Sequence, residues 1–371
     1  MAESAEERPR GHEVLAAAGT VHGRQWAPWG ALRYAVGVGV VLAVATTLAD
    51  PRVGVAAASG AVNAGSVGLT SGLDRPRAVM ATSVVVLAGA AFLGSVTAPT
   101  PVLALVTLAG LGALAGLLTA GGAAAGVVGV QAMVGFVTLG HFPLPPVRTV
   151  LLCLVVVAGG AAEILLGLVL RVDVAHRALR LLPPLRSRVA APLDHRRRPA
   201  ARLVRDTTRA LVHPDARTRW HALRLSSCLV VAQLVALQLS GLRGYWVTLT
   251  VLNVLKADWV TTASRGLERW LGTVLGVLTI GLFAAIVRPS GVLLLVAVTV
   301  VVWAAFTVEP VHYGLYCLFI AGYVVLFLQV VQAAPADSAV YRALDTTIGA
   351  VLALTALTFV PPRPAGLRHP H

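Results

Sequence analysis

Two asparagines, Asn63 and Asn253, stand 190 residues apart in runs that are otherwise apolar or small. An amide in hydrocarbon must be hydrogen-bonded or meet water. It can bond across to another helix, or it can line a transport path, and both readings stand at this point. Thr250 lies one helical turn before Asn253, and Trp246 one turn before that. Glu163 and Asp345 are carboxylates inside apolar runs. Carboxylates in a membrane are costly, so they face protein or water. Each can pair with an arginine, or carry a coupling proton, because burial disfavours the charged form. Glu163 lies deeper in its run and is the first candidate for the proton. Arg265 and Arg269, with Glu268 beside them, flank the start of another run. They can anchor that helix at the interface or attract an anion.

Several chemistries find no support. The only lysine, Lys256, is followed by Ala257-Asp258, so there is no phosphate-binding loop of the Walker type. No HExxH, GxSxG or Cys/His metal spacing occurs. Cys153, Cys228 and Cys317 are far apart in apolar runs and read as packing residues. The expectation is a non-enzyme without cofactor or metal. Any uphill work must draw on an ion gradient, on the membrane potential or on a separate subunit.

The elements that position these residues are membrane helices. Of 371 residues, 57% are hydrophobic and 12% charged, and mean hydropathy is +0.80. Soluble domains carry about 25% charge. Runs of about 20 apolar residues suit a bilayer. Candidates lie at 32–49, 53–70, 78–97, 101–119, 121–140 and 147–170, then 220–240, 243–256, 269–287, 291–308, 311–332 and 342–360. Turn residues part them, among them Asp50-Pro51, Asp74-Arg75-Pro76 and Glu309-Pro310. The expected architecture is all-α, with about 12 transmembrane helices. It divides into a cytoplasmic tail (1–30), a first half (31–170), a basic cytoplasmic linker (171–219), a second half (220–360) and a short cytoplasmic tail (361–371). With both termini inside, the outer loops receive only Arg52, Arg148, Arg243, Arg288 and Arg342. The other 25 of the 30 basic residues fall inside, as retained positive charge requires. Within the linker, 201–212 has a face for the inner leaflet, and its arginines need no nucleic acid.

The halves read as copies. At an offset of 191, Trp29 and Arg33 fall on Trp220 and Arg224, and Arg52 falls on Arg243. Six helices per half is an even number, so the copies are parallel repeats about an axis along the membrane normal. The second and eighth helices, which carry Asn63 and Asn253, are small-residue-rich and short, respectively. Irregular segments at matching places in two halves point to a transport site. Gly272 and Gly276, four apart, form a small face for close helix packing.

One stretch carries a resemblance. Residues 244–256, opening on Tyr245-Trp246, are followed by Thr261-Thr262, Arg265 and Glu268-Arg269, then by Gly272-Thr273 and Gly276. This closely resembles the signature of the fusaric acid resistance protein-like family. That family is related to aromatic acid exporters and, more distantly, to plant aluminium-activated malate transporters. Leu344-Asp345-Thr346-Thr347-Ile348-Gly349-Ala350 is similar as well. The resemblance is strongest over 220–360 and looser in Ala31-Leu32-Arg33 and Asp50-Pro51-Arg52. It implies export of small organic acids, often aromatic or toxic, from a bacterial cell. The expected partners are a small organic anion and the bilayer. A passive anion channel and a non-transporting scaffold are the alternatives.

Overall fold

The computed structural model describes residues 11–21, 28–70, 72–139, 144–170, 205, 207–209, 211–238, 244–256, 258–331 and 335–356. The expected tails, most of the linker and the amphipathic reading of 201–212 lie largely outside these residues. All regular elements among them are helical. We number them α1 (Gly11–Ala18), α2 (Pro28–Leu48), α3 (Pro51–Leu69), α4 (Pro76–Thr97), α5 (Pro101–Leu118), α6 (Ala123–Val134) and α7 (Pro146–Val169). The second half supplies α8 (Ala216–Gln238), α9 (Tyr245–Val254), α10 (Trp259–Val287), α11 (Gly291–Val308), α12 (Tyr313–Val330) and α13 (Pro335–Thr355).

The boundaries have local causes. Six of these helices open on proline, whose fixed φ and missing N–H suit the first helical position. Asp50 caps α3, its Oδ1 accepting from the amides of Arg52 (2.6 Å) and Val53 (3.2 Å). Asp258 caps α10 through the Thr261 amide at 2.8 Å. His312 caps α12, with Nδ1 accepting from Gly314 N at 3.0 Å. Such caps satisfy amides that a helix start leaves open. Gly122, at φ 96°, makes the turn into α6, a conformation that glycine reaches without strain.

Among the described residues, eight helices are long and apolar enough to cross a membrane: α2, α4, α5 with the 3-10 turn after it, α7, α8, α10, α11 and α12. The chain is a multi-pass membrane protein on that basis. The remaining segments are helical too but depart from a plain span. α3 is rich in Gly and Ala, α6 passes into a π-helical turn at Gly135–Leu139, and α9 has only 10 residues.

Two expected boundaries need correction. The ninth helix does not start at 269: α10 runs from Trp259, so Arg265, Glu268 and Arg269 lie within it. The polar run 258–268 fell between the expected spans, but it is helical, and Thr262 turns its hydroxyl back to Asp258 O at 2.8 Å. The last helix starts at Pro335 rather than 342, which places Arg342 two turns inside α13 instead of at its outer end.

Helix packing follows a circuit. Each helix touches the next in the order α2, α3, α7, α4, α6, α5, α8, α9, α13, α10, α12, α11, and α11 returns to α2. One apolar core joins α2 and α3 to α11 and α12; the other joins α8 and α9 to α5, α6 and α13. Both cores therefore draw on both halves. Lipid tails are as apolar as these side chains, so close packing rather than escape from water holds the helices together. Small residues permit it: a Cβ on Gly60 of α3 would overlap the Val156 carbonyl of α7, and one on Gly159 would overlap the Ala57 carbonyl.

Candidate functional site

The interruption between α9 and α10 gathers charge. α9 ends at Val254, and its freed backbone groups are met by side chains. Lys256 N donates to Thr262 Oγ1 at 2.9 Å, and the Arg224 guanidinium of α8 donates to the Lys256 carbonyl. Irregular backbone at membrane depth persists only when satisfied in this way. The break thus holds a fixed shape, with Lys256 at its corner.

Three cations face the break. Arg269 Nε donates to Thr250 Oγ1 of α9 at 3.3 Å, and its Nη1 donates to the Tyr313 hydroxyl of α12 at 3.4 Å. Arg265 lies one turn earlier, its guanidinium 4.6 Å from the Tyr313 ring centroid, where the ring face attracts a cation. Lys256 lies within electrostatic reach of both arginines. Of the charges that act on Glu268, on the same helix, His312 comes first and Arg265 second, and Glu268 forms no ion pair with either arginine. Among the described residues no carboxylate lies in ion-pair range of these cations. Positive charge gathered in a low-dielectric interior, with no carboxylate in ion-pair range among the described residues, is stabilised when an anion enters.

A second layer lies along α13. Arg342 stacks on Trp246, its guanidinium carbon 3.9 Å from the ring centroid, and its Nε and Nη1 are buried without partners. Asp345, one turn on, is buried and within electrostatic reach of Arg342. Arg269 is within the same reach of Arg342, so the layers share one field. Gly349 lets α13 close on α9 at Thr250, and Trp270 Nε1 donates to Thr347 Oγ1 at 2.8 Å. Thr250, Trp246, Arg265, Arg269 and Asp345 are therefore brought together.

Asn63, Asn253 and Glu163 stand otherwise. Asn63 Nδ2 donates to Ser59 O and Asn253 Nδ2 to Leu249 O, each at 2.8 Å within its own helix. Neither bridges to the other half. Both remain half-buried. Glu163 is fully buried in α7 against Gly37 of α2, and both its oxygens lack a partner. Arg33, stacked 4.4 Å over Tyr34, is the cation that acts on it at longer range. Glu163 thus belongs to the first half and not to the cationic cluster.

Four participants escaped sequence reasoning. Tyr313 and Tyr316 open α12 and carry no motif. Arg342 counted as a loop charge. Glu309 counted as a turn residue, yet it accepts from Ser66 Oγ of α3 at 3.2 Å. The one available signal was the isolation of Lys256 as the only lysine in the chain.

The profile of the fusaric acid resistance protein-like family matches residues 227–356. The resemblance read from residues 244–276 and 344–350 holds over that span. No curated protein and no solved structure matches the chain. The matched span runs from α8 to the end of α13 and contains every residue of the cationic cluster.

Proposed function

We propose that the chain, fusaric acid resistance protein-like over residues 227–356, is a secondary transporter that exports small organic anions, aromatic or weakly acidic toxic ones among them. The observation that carries this reading is the cluster of Lys256, Arg265 and Arg269 at a helix break, with no carboxylate paired to it among the described residues. Fixed positive charge concentrates anions and repels cations. Tyr313 and Trp246 beside it offer ring faces to an apolar substrate body. Outward movement of an anion from a negative-inside cell gains about 2.3 kcal/mol per charge per 100 mV. The family match supports a membrane transport role; the aromatic and weakly acidic character of the substrate rests on that resemblance, and the cluster supports its negative charge.

The architecture belongs to this proposal. Twelve spans form two parallel six-helix repeats about an axis along the membrane normal. The packing circuit supports it, because a step of six places turns α2 into α8, α3 into α9 and α5 into α11. The two steps of the circuit that pass between the halves, α5 with α8 and α11 with α2, exchange under the same shift. The path runs between the repeats, with Asn63 and Asn253 half-buried on α3 and α9, the helices that approach the opposite half near the axis. A proton enters through a membrane carboxylate, Glu163 or Asp345, if flux is coupled. The membrane is a bacterial cell membrane with both termini cytoplasmic.

Two experiments test these statements. Purified protein in liposomes should pass benzoate and similar anions, faster with the negative potential on the loading side, and should not pass cations of the same size. Cation flux, or no anion flux from folded protein, overturns the reading. Flux that a proton gradient leaves unchanged favours a passive channel. Reporter fusions at Ala216 and at the C-terminus should both read cytoplasmic. Opposite readings at those two points would remove the six-plus-six topology.

A further inference from the structure

The seam between the halves holds a carboxylate that anion binding does not use. Glu309 follows α11 and lies in the link 309–312 that leads into α12. Ser66 reaches it from α3, in the other half, donating to Oε1 at 3.2 Å. Oε2 is buried and has no partner. Among the described residues no cation lies in ion-pair range of it.

From α3, Ser66 bonds Glu309. From α12 comes Tyr316, which feels both Glu309 and Arg269. On the link itself, His312 Nδ1 is committed to the amides of Gly314 and Leu315. From α2, Tyr34 lies against Gly65 and Gly68, with Arg33 stacked on its ring. From α10, Glu268 faces His312, and Arg265 and Arg269 stand behind Tyr313. A carboxylate with one buried oxygen unmatched is completed most simply by a proton, which replaces a stranded charge with a neutral acid. Burial pushes the Glu309 carboxyl up to about 7, and the Ser66 bond opposes that rise.

We infer that Glu309 is a proton-sensing site at the seam between the halves, whose protonation favours an anion at the Arg265–Arg269 cluster. The linkage rests on the anion reading of that cluster. Its physical basis is the chain Glu309, Tyr316, Arg269: Tyr316 lies within electrostatic reach of both, so a charged Glu309 opposes a second negative charge near Arg269, and a neutral one does not. Reciprocity then requires a bound anion to favour the proton. The sign suits export of weak acids. A weak acid that enters neutral and dissociates releases a proton and an anion together, so the event that supplies the substrate also primes the site. The site is neutral below about pH 7 and charged above it, so anion affinity falls as pH rises through that window.

Two measurements on the full-length protein in nanodiscs separate the proton site from the anion reading. Infrared difference spectra between pH 5 and 9 follow the band of the protonated carboxyl. The wild type should titrate near neutrality, Glu309→Gln should lack that component, and Glu163→Gln should keep it. Ser66→Ala should move the midpoint upward, because the lost bond favoured the charged form; this variant decides the matter if Glu309→Gln does not fold. A Glu309→Gln spectrum that loses no part of the wild-type carboxyl band between pH 5 and 9, or a midpoint that Ser66→Ala leaves in place, overturns the proton site. Benzoate binding is then read by tryptophan quenching at pH 6 and pH 8. Wild type should bind several-fold more tightly at pH 6, and Glu309→Gln should bind alike at both. The wild-type pH dependence persisting in Glu309→Gln overturns the linkage. Wild type that binds no benzoate at any pH fails the anion reading and the linkage with it, while the infrared result still decides the proton site.

Discussion

Arg269→Gln is expected to lower anion flux about ten- to a hundredfold in liposomes while leaving the amount of folded protein close to wild type. Arg269 is the cation whose guanidinium ties three helices together, bonding Thr250 of α9 and Tyr313 of α12 from its place on α10. A hydrogen bond to a charged group contributes about 1.5–3 kcal/mol, and each 1.4 kcal/mol is about tenfold in an equilibrium. Glutamine keeps a donor toward Thr250 but removes the charge that an anion needs. Arg269→Lys retains the charge and loses the planar fork, so it should fall between wild type and Arg269→Gln. Arg265→Gln should cost less, because Arg265 sits over the Tyr313 ring and has Arg269 beside it to hold the field. The readout is the initial rate of benzoate efflux normalised to folded protein. Wild-type rates in Arg269→Gln would remove this arginine from the path and leave the cluster without a transport role.

How far such a site can be read from sequence depends on which interactions are local. Helix starts were legible because proline at the first position and capping Asp act within one turn, as at Pro51 and Asp50. The start of α10 was not, because Thr261, Thr262 and Arg265 are polar enough to imitate a loop. The Thr262 hydroxyl is met by the Asp258 carbonyl and the Lys256 amide, and Arg265 by the Tyr313 ring, all of them outside the helix. The matched asparagines were visible as a pair 190 residues apart, but their bonds were not. Each turns back on its own helix, as a polar side chain in hydrocarbon can do when no partner faces it. Thr250, Arg265 and Arg269 share one short stretch of sequence, and Thr250 and Arg269 meet directly in the fold. Arg342 and Tyr313 join them from distant parts of the chain, and only the fold makes that juxtaposition. Glu309 was hidden by its neighbour: Glu-Pro after an apolar run reads as a turn, and nothing local shows that Ser66, 243 residues earlier, bonds its carboxylate.

The geometry of the cluster also depends on a contact that carries no charge. α10 and α12 pack most closely where Gly272 and Gly276 face α12; a Cβ on Gly272 would overlap the Gly314 carbonyl, and one on Gly276 the Leu318 carbonyl. Arg269 lies one turn before Gly272 on the same face, and Tyr313 immediately precedes Gly314. The spacing that lets the helices touch is thus the spacing that brings Arg269 to Tyr313. Gly276→Leu forces the backbones apart, because the obstructing atom is a main-chain oxygen and no rotamer change can clear it. Overpacking of this kind costs about 1–3 kcal/mol or more, and it would stretch the 3.4 Å bond from Arg269 to Tyr313 beyond hydrogen-bond range. Two readouts should therefore fall together: the melting temperature of the detergent-solubilised protein, followed by size exclusion, and the flux of whatever protein remains folded. Gly281→Leu, on the same helix with nothing near its Cβ position, is the control and should match wild type in both. A Gly276→Leu protein as stable as that control would mean that α10 and α12 are not packed through these glycines. A stable variant with full flux would further detach the Arg269–Tyr313 contact from transport. A fall in flux much larger than the fall in stability would instead assign the glycine face a direct role in holding the cluster.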